Sequence, residues 1–492
     1  MARFMSARSA IGARWLIAAA IAAAAFIALA PVTTVIVSAG ALVIVLGTFV
    51  EPGIGLSVML LAGPWAAWMN VYTPGLLPVD AGQIMVALTL GAWALRGLAR
   101  REWVFHAPVM LWPLLLFAGW AGVTLLWAPD LRFGLPELIK WIELPLVMIC
   151  AIDLARRRGV RWIVVAVLLT AGVQALIGIY EARLRGIGPA GFLLSEGVYR
   201  AYGTFEQPNP FAGFIGLALP IAVALTVYYA WRLACRVVRR QTSGVTRDSA
   251  LVRQTVLLII CAAAALLLAV ALYLSFSRGA WLAAAAAIGA MIVVAPRRRW
   301  IGLGLAGAAA IGLLALSGAG LLPQSINDRL ADAGELFDIR DVRGAPINDA
   351  NYALIERQAH WQAALNMVSD KPWTGVGLAN YQSSYEQYRL LNWPMALGHA
   401  HNIYLNVAAE TGLPGLAAYG LLWAVILGVT FGTIRRARGV ERAIAIGLMG
   451  TWIHLSTHLL VDNLYVNNTH LLIGALLGLL AALRPAGEVS PR

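Results

Sequence analysis

Four short stretches of this chain carry side chains that could do chemistry. The first runs from Arg200 through Gly-Thr-Phe-Glu-Gln-Pro to Asn209. The second is Ser275-Phe-Ser277-Arg278-Gly279. The third opens at Arg357-Gln-Ala-His-Trp361 and continues to Pro372-Trp-Thr-Gly375-Val-Gly377. The fourth is Gly398-His399-Ala-His401-Asn402-Ile-Tyr404, followed by Glu410-Thr-Gly412. A guanidinium presents a planar fork of donors that matches phosphate oxygens bidentately, and an imidazole is the side chain best suited to take a proton near neutral pH. Arginines with a histidine therefore point to chemistry on a phosphorylated substrate. The His399/His401 pair could alternatively ligate a metal, but no carboxylate or cysteine stands at ligand spacing beside it, and a lone histidine more often satisfies a local hydrogen bond. His454, His458 and Asp462 recur at one-turn spacing and share a helix face, which reads as a polar stripe turned into a bundle more readily than as a zinc site. Glu137, Lys140 and Glu143 share another face and are expected to pair with one another as structure.

The elements that position these residues are membrane spans. A hydrocarbon core of about 30 Å takes roughly 20 apolar residues in a helix. Apolar runs of that kind lie near 14–30, 33–50, 53–69, 80–98, 108–127, 135–154, 161–181, 210–231, 254–275, 279–295, 300–321, 413–434, 442–461 and 468–484. Pro52 and Pro64 make 53–69 a candidate re-entrant segment, and the first run lacks the small-residue cleavage site of a removed signal peptide. Basic clusters at Arg3/Arg8/Arg14, Arg96/Arg100/Arg101, Arg156/Arg157/Arg158/Arg161, Arg232/Arg236/Arg239/Arg240, Arg297/Arg298/Arg299 and Arg435/Arg436/Arg438 are separated by even numbers of spans. All then fall on one side, which the positive-inside rule makes cytoplasmic, with both termini. The same parity places 182–209, 276–278, 322–412 and 462–467 on the outer face. Arg278 thus sits where that rule disfavours arginine, and topology does not explain it. Arg200 and Arg357 share that side, whereas Arg340, Arg343 and Arg389 read as solvated loop arginines.

Composition agrees with a membrane chain. Of 492 residues 60% are hydrophobic and only 12% charged, against about 45–50% and about 25% in soluble domains. Eighteen tryptophans suit two membrane interfaces. The net charge of +13 rests on arginine, since Lys140 and Lys371 are the only lysines. Its confinement to short loops excludes a nucleic-acid groove. Cys150, Cys235 and Cys261 form neither a disulfide framework nor a metal-ligand spacing. The chain is expected to be an all-α polytopic membrane protein with about twelve to fourteen transmembrane helices and a long helical periplasmic loop before the last three spans. Its expected divisions are an N-terminal bundle at 1–199, central spans at 200–321, a loop domain at 322–412 (helical around 351–369) and C-terminal spans at 413–492. The stretch 241–253 reads as a solvated connector.

The four stretches, in this order and each on the outer face, resemble the O-antigen ligase and O-antigen polymerase superfamily of bacterial envelope glycosyltransferases. The resemblance covers most of the chain from about residue 200 to 462. It implies catalytic roles for His401, Arg278 and Arg357, and substrate contacts from Arg200, Asn209, Ser277, His399, Asn402, Tyr404 and Glu410, with His458 and Asp462 supporting them. It also implies a glycan linked to undecaprenyl diphosphate as donor, no nucleotide sugar, no metal and no other cofactor. The acceptor would be a lipid or a glycan, most simply lipid A-core for a ligase, and the location the bacterial inner membrane with the site facing the periplasm. A polymerase would use a second lipid-linked repeat, and a protein O-oligosaccharyltransferase a serine or threonine; the short tail after the last span speaks mildly against the latter. A transporter of lipid-linked sugars would show internal repeats and polar midplane helices, and neither is evident.

Overall fold

A computed structural model describes residues 31–74, 79–101, 107–195, 197–243, 249–321, 341–348 and 351–483. The first expected span with its Arg3/Arg8/Arg14 cluster, Arg340, the side chains of Arg239 and Arg240, and the tail from residue 484 lie outside the described residues or side chains.

The described chain is a helical bundle, as composition demands: in a lipid core every backbone N–H and C=O must be satisfied within the segment. Its helices are α1 (Val32–Val50), α2 (Pro52–Ala62), α3 (Ala66–Tyr72), α4 (Ala81–Arg100), α5 (Leu111–Thr124), α6 (Leu131–Arg158), α7 (Val160–Arg183), α8 (Pro208–Ser243), α9 (Ser249–Leu274), α10 (Arg278–Val294), α11 (Arg299–Gly318), α12 (Tyr352–Asp370), α13 (Tyr381–Tyr388), α14 (Ile403–Arg436), α15 (Gly439–His458) and α16 (Thr469–Ala482). Among the described residues eight segments are long and apolar enough to cross a bilayer, and α10, α16 and α5 with its terminal turn are shorter apolar helices. α6 and α15 carry more polar groups.

Two boundaries differ from expectation. A single 3-10 turn, Gly63–Trp65, accommodates Pro64 and joins α2 to α3. The segment Pro52–Tyr72 is therefore long and apolar enough to cross. The connector expected over 241–253 is shorter, because α8 runs to Ser243 and α9 begins at Ser249.

Position in the bundle follows residue character. α16 is apolar nearly all round and almost wholly buried, as a central helix should be. The spanning windows of α1 and α11 are only 6% buried and leave their side chains to lipid. At one end of the bundle the arginine clusters gather. Glu51, which precedes α2, ion-pairs with Arg96 of α4 at 3.1 Å and with Arg158 of α6 at 2.5 Å. Arg442 of α15 donates to Ala295 O after α10 and to Ile434 O of α14. At the other end lie the starts of α8, α10 and α14, the end of α15 and the loop helices α12 and α13. Cys150, Cys235 and Cys261 are all free.

Candidate active site

The loop end is assembled by backbone contacts between segments far apart in sequence. A two-stranded antiparallel ladder, β1 (Leu193–Ser195) with β2 (Val198–Tyr199), delivers the chain to Arg200. Arg200 N donates to Phe192 O, and Ala201 N to Leu274 O at the end of α9. The Arg200 guanidinium donates to Ser275 O at 2.9 Å and to Asn209 Oδ1 at 3.2 Å. The first motif is thereby fastened to the second. Ser277 is buried and precedes α10, whose first residue is Arg278. Gly279 follows for a steric reason: a Cβ there would come within 2.5 Å of Val461 Cγ2 and 3.2 Å of His458 Cδ2. The missing side chain lets the Arg278 turn lie against the end of α15, next to Asp462.

The third and fourth motifs lock together in the same way. Val376 N donates to Ala409 O, and Gly377 N to Glu410 O. The buried Glu410 carboxylate accepts from Ala379 N at 2.9 Å and Tyr381 N at 3.3 Å. α14 is broken at Gly412 (φ 70°, ψ 179°), so its first turns belong to the loop and its remainder forms the span expected at 413–434. Gly375 lies against this break with φ 65°, and a Cβ on it would stand 2.3 Å from the Glu410 carbonyl. Gly375→Ala is expected to destabilise the docked loop by about 2 kcal/mol or more, from combined strain and overpacking. A lower melting temperature with faster proteolysis between α12 and α14 would report it; unchanged values would deny the close approach.

At the centre stands His401, in a left-handed conformation (φ 52°). Its Nδ1 lies 3.4 Å from Asp462 Oδ1, long for a tight hydrogen bond but close enough for strong electrostatic contact. His401 N donates to His399 Nδ1 at 3.0 Å. The Asp462 carboxyl is held well below the usual range: burial works to raise it, and is outweighed by the close approach of His401 and the positive potential of His401, His399 and His458. Arg357, on the loop helix α12, is lowered by burial, raised by Asp462 and lowered again by the charge of Arg278. Burial, together with His401 and Arg357 and against Asp462, brings His399 down to about 4. Arg357 thus senses Arg278 and Asp462, and Asp462 in turn senses His399, His401 and His458. His454, His458 and Asp462 are 0%, 1% and 5% exposed, so their stripe does face the interior.

Asn402 and Tyr404 hold this geometry by structural bonds. Asn402 Oδ1 caps α14, accepting from Tyr404 N and Leu405 N, and Tyr404 Oη donates to Ser456 O of α15. Arg343 and Arg389 pair with the neighbouring Asp341 and Glu386 at the surface, as solvated loop arginines do.

Several participants escaped the sequence. His360, one turn beyond Arg357, stacks on Tyr385 (centroids 4.8 Å apart), meets His401 edge-on at 6.0 Å and makes a 2.9 Å hydrogen bond with Tyr381 Oη. Burial, then the charges of His401 and His399, bring His360 down to about 3. A histidine depressed below its unfolded value is fully compatible with folding above about pH 6.5, and costs stability as pH falls toward its folded value. Melting temperature is therefore expected to fall between pH 6.5 and 4, and less steeply in His360→Gln; parallel pH curves would contradict this. Glu137 and Lys140 do pair, at 2.7 Å, yet they also line a cavity of about 200 Å³ with His399, Asn406, Glu410 and Asn463. Glu143 instead joins His470 at 2.8 Å and Gln83 at 3.1 Å. Arg278 and Arg357 are not among the residues that line that cavity.

The fold also supplies the carboxylate that sequence spacing did not show beside the histidines. His399, His401 and Asp462 offer three ligand atoms within 4.8 Å of one another, a set that could hold a metal ion. Arg357 bears on Asp462 and His399, and Arg278 on Arg357, so positive charge also stands beside that set. Residues 263–420 match the family model described as O-antigen ligase. That span includes Arg278, Arg357, His399, His401 and Glu410, whereas Arg200, Asn209 and Asp462 lie beyond it. No curated protein matches the chain.

Proposed function

We propose, from the match of residues 263–420 to the O-antigen ligase family model, that the chain is a member of that superfamily and moves a glycan from undecaprenyl diphosphate to the lipid A-core acceptor at the periplasmic face of the inner membrane. The observation that carries this reading is that Arg357 feels both Arg278, from a separate segment, and Asp462, whose carboxylate faces His401. In the proposed step the acceptor hydroxyl oxygen bonds to the anomeric carbon while the bond from that carbon to the phosphate oxygen breaks. The electron pair leaves with the diphosphate and the hydroxyl proton passes to His401. This is a single displacement with inversion. Arg278 and Arg357 meet the growing negative charge with fixed donors, which are worth most away from bulk water. Arg200, tied to Ser275 O and Asn209, holds the turn that aims Arg278. The cavity beside His399, with its Glu137–Lys140 pair and Asn463, offers the acceptor a polar approach.

Fixed arginines provide the charge stabilisation for which other phosphate-handling enzymes use a divalent ion, and the mechanism needs neither metal nor nucleotide. The test is to reconstitute the purified chain in vesicles with the lipid-linked glycan and lipid A-core. The expected result is joined product without added nucleotide and undiminished by EDTA. Loss of product on chelation, with recovery on adding a divalent ion, would move the histidine–aspartate set to metal binding. Longer lipid-linked chains as the sole product would indicate a polymerase, and passage of the donor across the bilayer with no new glycoconjugate a transporter.

A further inference from the structure

Far from the site just described, at the arginine end of the bundle, a concavity of about 490 Å³ opens between the end of α10, the start of α11, the end of α14 and the start of α15. Arg297, Arg299, Arg435 and Arg442 line it around Phe431. Arg442 is committed to the wall by its bonds to Ile434 O and Ala295 O. Arg299 lies over the Phe431 ring at 4.4 Å and Arg435 at 5.9 Å from the same centroid. One aromatic ring therefore holds two like charges near each other, and none of the four arginines is ion-paired with a carboxylate among the described residues. The positive-inside rule accounts for arginines at this end, but not for a cavity that gathers them. Beyond the Arg442 wall an apolar groove of about 460 Å³ runs along α8, α10 and α15, lined by Val227, Trp231, Met291 and Ile446 among others. Trp231 is 70% exposed, as an interfacial tryptophan is.

We propose that this basic pocket and its adjoining groove form a binding site for one anionic glycerophospholipid, the phosphate held by Arg299 and Arg435 with Arg297, and an acyl chain lying in the groove. Charge complementarity favours a phosphate, the level at a helix-end interface favours a headgroup, and the groove favours a ligand with a tail. The site is independent of the transferase reading, since it shares no residue with the loop end.

The test is native mass spectrometry of the detergent-solubilised full chain titrated with dioleoyl phosphatidylglycerol, dioleoyl phosphatidylcholine or glycerol 1-phosphate. Phosphatidylglycerol is expected to bind in preference to phosphatidylcholine, without effective competition from glycerol phosphate. The double variant R299Q/R435Q is expected to weaken that binding about thirtyfold, while R100Q/R101Q, which removes the same charge from the same end outside the pocket, leaves it unchanged; melting temperatures confirm that both fold. Equal weakening by the two doubles would overturn the proposal in favour of diffuse charge attraction. So would a lack of preference between the two lipids. Competition by glycerol phosphate at the lipid's own affinity would overturn the lipid assignment and leave a site for soluble anions.

Discussion

His401→Ala is expected to leave donor binding close to wild type and to lower the transfer rate by about 10²–10⁴-fold, the usual contribution of a positioned general base. The imidazole is fixed from several directions. Its backbone adopts a left-handed conformation, its amide donates to His399 Nδ1, its Nδ1 faces Asp462, and the His360 ring meets it edge-on. With Nδ1 turned to Asp462, Nε2 is the nitrogen left to take a proton from the acceptor. Alanine removes the base while the arginines remain, so binding and turnover should separate: a labelled donor still associates, but product does not form. A variant that transfers at the wild-type rate would remove His401 from the chemistry. Asp462→Asn is a gentler probe, because it retains the shape and loses the charge that steadies an imidazolium; it should lower the rate by less than His401→Ala and leave the chain folded.

The second large effect is expected from the arginines. Arg278→Ala or Arg357→Ala should each reduce kcat/KM by about 10²–10³-fold, comparable with deleting one preorganised donor from a transition-state anion site. Unlike the histidine variant, each should also weaken donor binding. Lysine at either position restores charge without the planar fork and should recover only part of the loss. Because the charge of Arg278 already bears unfavourably on Arg357, the double variant should lose less than the sum of the two in free energy. Wild-type donor affinity together with wild-type turnover in Arg278→Ala would sink the clamp.

The expected spans were legible because a bilayer-length apolar run is a constraint written directly into the sequence. α1, α4, α7 and α10 begin and end within a few residues of the runs that announced them. α14 was less legible: residues 403–411 are mixed in character and precede a left-handed glycine, so hydropathy registers only the span beyond the break. Among the site residues, Arg278 was readable because it violates the topology rule, and His401 because its neighbours recur as a motif. The Asp462 contact was half-readable, since spacing shows the face it shares with His458 but not what the face meets. His360, the Glu137–Lys140 wall of the cavity and the Glu410 clamp depend on which segments pack together. Nothing local in those residues announces that packing, and Glu137 with Lys140 looked like an ordinary intrahelical pair because it also is one.

The hairpin between α5 and α6 has a bearing on how this molecule can be taken apart. Trp120 Nε1 donates to Thr411 O and Trp127 Nε1 to Thr374 O, Leu378 N donates to Thr124 Oγ1, and Asp130 exchanges hydrogen bonds with Asn380. The extramembrane segment is thus anchored from beneath, by partners that only the intact bundle supplies. It is not a cassette that could be excised, produced in water or transplanted between paralogues as a unit. Any exchange of specificity by recombination would have to carry the 120–130 corner along with the segment it grips.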